Sequence, residues 1–170
     1  MPFRPLAAED LSALIEIQEE GAVAGLSHIF PQDRYPFQRE VIFERWRRDL
    51  IDSTIHAYVS TDDSGALTGF AATRRNELLR FGTAVRLWDS GLATSLHDFV
   101  VEELRRTNAD ADHAFYWLRV FEENRRARRF YEKLGWTATD VRTRSTIEPH
   151  PNLLEYRFRP QGHALRERWT

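Results

Sequence analysis

Residues 120–136 read VFEENRRARRFYEKLGW and hold the clearest local pattern in the chain. The run from Phe115 to Phe121, FYWLRVF, is aromatic and rich in β-formers, which predicts a central strand. Asn124 suits a helix N-cap, because its side-chain oxygen can accept from an orphan first-turn amide. Ala127, Phe130, Tyr131 and Leu134 then fall at i, i+3, i+4 and i+7, the apolar stripe of a helix, and Gly135 supplies its stop.

Upstream, residues 88–97, WDSGLATSLH, place small residues before a second helical pattern. Leu92, Leu96, Phe99, Val100 and Leu104 carry that helix to about Arg106, and a strand at Leu78–Val85 precedes it. Ile55, Ala57 and Val59 alternate with His56, Tyr58 and Ser60; the cluster Asp62-Asp63-Ser64-Gly65 and the run Leu67–Thr73 make this a β-hairpin. Phe3-Arg4-Pro5 suits a short first strand. Leu11, Leu14, Ile15 and Gln18 mark a helix that Gly21 would stop. Residues 21–36 read as a loop or broken helix, and Val41, Ile42, Trp46, Asp49 and Leu50 suggest a second helix ending near Ser53. Strands at about Thr137–Thr143 and Leu153–Arg159 precede a polar tail. The order β-α-α-β-β-β-α-β-α-β-β predicts a mixed α/β (α+β) domain, a central sheet of about seven strands flanked by about four helices. That domain spans residues 1–160, with 161–170 as the tail. Ligands in such sheets gather beyond the carboxyl ends of strands, where the helix starts at Ser90 and Asn124 would point.

Composition narrows the classes. The chain has 170 residues, 42% hydrophobic and 29% charged, which suits one globular domain. A net charge of −2 gives no pull toward nucleic acid or an anionic membrane. Cysteine is absent, which removes disulfides and thiolate chemistry and is compatible with a cytoplasmic location. The start, MPFRPLAAED, has no signal pattern, and no apolar run approaches the ~20 residues of a membrane helix. His28, His56, His97, His113, His150 and His163 show no metal-ligand spacing, so no metal is expected. Ser90 lacks the elbow of a serine hydrolase. The basic run Arg125–Arg129 is flanked by Glu122, Glu123 and Glu132, and reads as a solvated helix face rather than a nucleic-acid surface.

The element order and the two quoted segments resemble the GNAT superfamily of acyl-CoA-dependent N-acyltransferases, from Phe3 to about Arg159. Residues 120–136 match the family's strand followed by N-x-x-A-x-x-F-Y-x-x-L-G-[FW], with about eight positions in register. WDSGLA resembles its pyrophosphate loop, [QR]-x-x-G-x-[GA], with Trp88 first, Gly91 fourth and Ala93 sixth; Leu96 matches a following core leucine. Trp88 departs mildly from that pattern, and Asp89, in place of the usual glycine, more sharply. The resemblance implies an acetyltransferase that moves an acetyl group from acetyl-CoA directly to a primary amine of a small molecule or peptide. Homodimers are common in the family, and nothing in the sequence itself indicates one. A second reading stays open because of Asp89: a non-catalytic module of the same fold that binds CoA weakly and serves as a partner or sensor.

Cradling a pyrophosphate takes backbone N–H groups and a positive helix end more than side chains. The candidate loop residues are Trp88, Asp89, Ser90, Gly91, Leu92, Ala93 and Thr94, although a plain helix cap by Ser90 or Asp89 fits the same stretch. The charge of Asp89 opposes an anion: two unit charges about 6 Å apart interact by roughly 0.7 kcal/mol in water and ~3 kcal/mol at an effective dielectric of about 20. Three features would ease this. Aspartate tolerates a left-handed backbone, its side chain can turn to solvent, and a nearby arginine such as Arg86 can neutralise it.

By resemblance, Phe81, Gly82 and Thr83 form a splayed strand whose free N–H holds the thioester oxygen, with Gly82 easing a bulge. Asn124, Ala127, Arg128 and Phe130 would meet the cofactor's arm and 3′-phosphate. Tyr131 would protonate the leaving thiolate, or else be a core residue with its hydroxyl capped by a neighbour. Glu77 matches the base of the histone-acetylating branch, or is an exposed strand-end glutamate; its intrinsic pKa of about 4.3 suits a base only if burial raises it. The segment between the first two helices would wall the acceptor site. It offers His28, Phe30, Asp33 and Tyr35, with Asp33 to attract an amine and the aromatics to pack, while Pro31 and Pro36 equally suit a plain stiff loop.

Overall fold

The computed structural model describes residues 2–111 and 113–160; the predicted tail, 161–170, lies outside them. Strands β1 (Phe3–Pro5), β2 (Ile55–Thr61), β3 (Leu67–Arg74), β4 (Glu77–Thr83), β5 (Tyr116–Phe121), β6 (Thr137–Arg144) and β7 (Asn152–Phe158) form one sheet in the order β1-β2-β3-β4-β5-β7-β6. Helices α1 (Leu11–Leu26) and α2 (Arg39–Ile51) cover one face. Helices α3 (Leu92–Thr107) and α4 (Arg125–Lys133) cover the other. This is the predicted seven-stranded, four-helix mixed fold.

Alternation along β3 feeds two cores at once, with Ala71 in one and Phe70 and Ala72 in the other. Leu78, Leu118 and Val120 point toward α3 and α4, where Leu96, Val100, Leu104, Tyr131 and Trp136 are buried. On the opposite face Val59 and Phe70 meet Leu14, Ile15 and Trp46 from α1 and α2. Trp46 is fully buried, its Nε1 donates to Gln18 at 2.8 Å, and Phe70 meets it edge-on at 5.6 Å.

Two expectations about glycine fail for tertiary reasons. Helix α1 does not stop at Gly21 but runs on to Leu26. A glycine inside a helix costs about 1 kcal/mol relative to alanine, a small sum beside the packing of the next turn, where Ala22, Gly25 and Leu26 wall the cleft. The next glycine, Gly25, is needed for close approach, since a Cβ there would lie 3.2 Å from the Trp88 ring. Nor does Gly82 ease a bulge. The register shift lies between Ala72 and Thr73, which pair with Arg80 and Leu78 and leave Leu79 between them as the extra residue. Gly82 instead lies opposite Phe70, and a Cβ would fall 2.5 Å from that ring.

β4 and β5 are parallel, yet their register contains a single pair, Glu77 with Trp117. Beyond it the strands separate. β4 stays paired with β3 and β5 with β7, so two sheet edges face each other across a wedge. Backbone groups on those edges have no strand partner there.

Beneath the wedge, His97 is buried and its Nε2 accepts from Trp136 Nε1 at 2.8 Å. Burial holds the imidazole pKa below its ordinary value, against the opposing pull of Asp98. A histidine kept neutral by the fold contributes stability that is full above its unfolded pKa, about 6.5, and lost as pH falls through the folded value. Melting temperature is therefore expected to fall as pH drops from 7 toward 5, with a shift in Trp136 fluorescence. His97→Gln, which keeps an acceptor but cannot titrate there, should flatten that portion of the profile. A wild-type profile already flat across this window would refute the assignment.

Candidate active site

The wedge opens into a cleft of about 1500 Å³ that reaches both faces of the sheet. A pocket for one small ligand measures roughly 300–1,000 Å³, so this cleft has room for two reactants at once. At one end it meets the start of α3; at the other it meets α1, α2 and the segment joining them.

The α3 end is built from the WDSG turn. Asp89 has φ 62° and Gly91 φ 90°, both left-handed, and α3 begins at Leu92. Asp89 thus does the geometric job of a glycine, which aspartate performs at small cost. Ser90 Oγ donates to Leu87 O at 2.6 Å and accepts from Leu92 N–H at 3.3 Å, so this serine caps the turn. The first-turn amides of Ala93 and Thr94 have no protein acceptor among the described residues, and both residues line the cleft. Free amides at a positive helix end suit an anion such as a pyrophosphate.

Asp89 is neutralised from an unexpected side. Arg126, in the first turn of α4, lies 3.2 Å from its carboxylate and stacks 4.2 Å over the Trp88 ring. Arg86 pairs with Asp62 instead, at 3.9 Å. The Asp89 carboxylate is 87% exposed, so its repulsion of an anion is screened as in water. Asp89→Gly keeps the left-handed turn and frees Arg126. It is expected to tighten acetyl-CoA binding about threefold at low ionic strength, an effect fading with salt. Equal or weaker affinity at low salt would show that the carboxylate supports the turn instead.

Along the α4 side, Phe81, Gly82, Thr83, Asn124, Ala127, Phe130 and Tyr131 line the cleft as the resemblance implies. Asn124 is the N-cap, with Oδ1 accepting from Ala127 N–H at 3.2 Å. Phe81 stacks on Phe130 at 5.7 Å and meets Tyr131 edge-on at 6.3 Å. The Tyr131 ring is buried, and its hydroxyl has no protein hydrogen-bond partner among the described residues. Burial pushes this phenol well above its usual pKa, so it carries its proton at neutral pH. Ser90 and Leu92 do not line the cleft: the Ser90 hydroxyl is turned back to Leu87 O, and Leu92 is a core residue of α3. Arg128 also turns away. Its Nε donates to the Tyr156 hydroxyl at 3.0 Å and its Nη1 to Glu122 O at 3.0 Å. Arg126 and Arg129 reach the cleft in its place.

Glu77 lies on the floor, buried rather than exposed, with 3% of its surface accessible. Arg74 donates to its Oε2 at 2.8 Å, and Arg119 stands 3.5 Å from Oε1. The lone pairs those contacts leave can still accept a proton from a water in the cleft. Next along the same face, Arg80 pairs with Asp49 at 2.7 Å and lies 5.2 Å over the Trp46 ring.

The acceptor wall is half as expected. Phe30 lines the cleft, edge-on to Phe121 at 5.2 Å, and Tyr35 lines it beneath the Arg34 guanidinium. Asp33 is exposed and outside the lining. His28 is also outside, bonded to Glu123 O at 2.8 Å. The end of β6 at Arg144 and the β6–β7 connection at residues 145–148 contribute lining that no local motif signalled. Arg45 of α2 does too, although its spacing from Ile42 and Asp49 on one helix face was legible. Among the described residues no cluster suited to a metal occurs, and no helix is long and apolar enough to cross a membrane.

A family model for the acetyltransferase (GNAT) family matches residues 7–136. No curated protein matches the chain significantly. Solved structures share the fold. PaiA N-acetyltransferase from Thermoplasma acidophilum, in complex with coenzyme A, is 20% identical with a TM-score of 0.68, covering 92% of this chain and 98% of its own. Spermidine N-acetyltransferase from Vibrio cholerae, in complex with CoA and spermine, is 14% identical with a TM-score of 0.68, covering 93% and 94%. The ribosomal-protein-S18-alanine N-acetyltransferase from Escherichia coli is 18% identical with a TM-score of 0.67, covering 96% and 97%.

Proposed function

This chain belongs to the GNAT acetyltransferase family, and on that premise we propose that it transfers an acetyl group from acetyl-CoA to a primary amine by direct attack. The observation that carries the reading is the wedge beyond the single Glu77–Trp117 pair, with the unpartnered Tyr131 hydroxyl on one side and Glu77 on the other. Acetyl-CoA supplies an activated acyl thioester. The amides of Ala93 and Thr94 and the side chain of Arg126 hold its pyrophosphate, and Asn124, Ala127 and Phe130 flank its arm. The free edge of β4 near Phe81–Thr83 presents backbone N–H groups to the acyl oxygen, where charge develops.

The amine enters from the α1–α2 side. Its nitrogen forms the C–N bond as the C–S bond breaks. Glu77 takes the proton lost by the nitrogen, through a water, and Tyr131 donates to the departing sulfur. A raised phenol pKa makes full transfer to a thiolate uphill, so the main contribution of Tyr131 is a hydrogen bond that strengthens as charge builds on sulfur. The solved relatives in complex with CoA support the choice of co-substrate. Asp89, which favoured a non-catalytic module, keeps the turn's geometry and is paired with Arg126, which supports the enzyme reading. Calorimetric titration with acetyl-CoA should show saturable one-to-one binding, and thiol release should follow addition of an amine panel. Failure to bind at millimolar acetyl-CoA would overturn the reading.

A further inference from the structure

We infer that the acceptor amine also carries an oxyanion, a carboxylate first, which docks on Arg45 at the α2 end of the cleft. The inference rests on the acyltransferase reading and names the substrate class of that same site.

Arg45 lines the cleft, is half-buried, and has no ion-pair or hydrogen-bond partner among the described residues. The buried carboxylates of α2 and β4 are already engaged. Asp49 is taken by Arg80 at 2.7 Å, and Glu77 by Arg74 at 2.8 Å and Arg119 at 3.5 Å. Arg45, Arg74, Arg80 and Arg119 thus stand against two carboxylates, Asp49 and Glu77. Burial, and then the neighbouring charge of Arg80, disfavour the charged form of Arg45, Asp49 pulls more weakly the other way, and an arginine keeps its proton. A guanidinium with no carboxylate of its own in a partly dry wall is costly, and a ligand anion relieves that cost. Its planar fork matches a carboxylate with two parallel hydrogen bonds.

The same charges argue against a polyamine. A second ammonium would need a free carboxylate on this wall, and Asp49 and Glu77 are both committed while Asp33 lies outside. Glu148, on the β6–β7 connection, is the remaining acid of the lining beside Asp89, and it is exposed. Phe30, Phe121 and Tyr35 offer an apolar surface for the body of the acceptor. Arg45 is also distinct from the cofactor end, since α2 packs on the face of the sheet opposite α3 and α4.

The test is acetylation of matched pairs: each proteinogenic α-amino acid against its decarboxylated amine, β-alanine against 2-aminoethylphosphonate, and spermidine. Wild-type enzyme is expected to favour at least one carboxylate-bearing acceptor over its amine by tenfold or more in kcat/KM. Arg45→Gln should lower that ratio about 10- to 100-fold, mainly through KM, with Arg45→Lys in between. Acetyl-CoA affinity measured by calorimetry should stay put in both variants. A preference for the phosphonate over β-alanine that Arg45→Gln abolishes would still support the oxyanion and identify its kind. Preference for plain amines or spermidine, turnover of no anionic member, or an unchanged ratio in Arg45→Gln overturns the inference. So does a loss confined to acetyl-CoA affinity, which would assign Arg45 to the cofactor. Failure of wild-type protein to bind acetyl-CoA would instead remove the acyltransferase reading beneath it.

Discussion

Tyr131→Phe is expected to lower kcat by about 10²- to 10⁴-fold, the usual range for a positioned proton donor, with little change in KM for acetyl-CoA. The substitution removes one oxygen and keeps the ring. That ring packs against Phe81, Phe130 and Trp136, so the core should be undisturbed. Because the hydroxyl has no protein partner among the described residues, no buried donor or acceptor there is orphaned, and melting temperature should hold or rise slightly. Glu77→Gln makes a contrast. It leaves Arg74 and Arg119 without their carboxylate, so it should lose both rate and stability. A Tyr131→Phe enzyme with wild-type kcat would end the proton-donor role; one that melts several degrees lower would show a structural role for the hydroxyl.

Trp46→Ala is expected to destabilise the fold by about 3–5 kcal/mol. Its side chain is fully buried, and its removal empties the centre of the α1–α2 core beside Phe70. It also strips Gln18 of its donor and Arg80 of the ring beneath it. Against a typical total of about 5–15 kcal/mol, the loss brings a small domain near its unfolding threshold. Urea denaturation should show a lower midpoint at unchanged slope. Trp46→Phe, which keeps most of the buried area, should cost less than half as much. A Trp46→Ala loss under about 1 kcal/mol would mean the core collapses around the gap, contrary to the close packing of Phe70 against Gly82.

The readable parts of the sequence were those whose cause lies within a few residues. The α4 stripe, the Asn124 cap, and the Gly135 stop at φ 93° all appear as the pattern implied. Aspartate's tolerance of a left-handed turn was legible at position 89 for the same reason. The misread parts have distant causes. Gly25 accommodates Trp88, and Gly82 accommodates Phe70, so each glycine answers a neighbour rather than its own backbone. Arg126 rather than Arg86 reaches Asp89 because α4 lies across the mouth of the wedge from the turn. The resemblance implies Arg128 at the cofactor, but the helical period turns it to Tyr156 and Glu122.

By itself, then, the sequence determined the order of elements, the helix-opening turn and the identity of the strand–helix motif, because periodicity, caps and turn residues act locally. Only the tertiary structure decided which charges remain without partners. Glu77 meets Arg119, and Arg80 meets Asp49, across long stretches of chain, and that pairing leaves Arg45 on the cleft wall with no ion-pair partner among the described residues. Charge balance in a cleft is a property of what folding brings within a few ångströms, which no local pattern encodes.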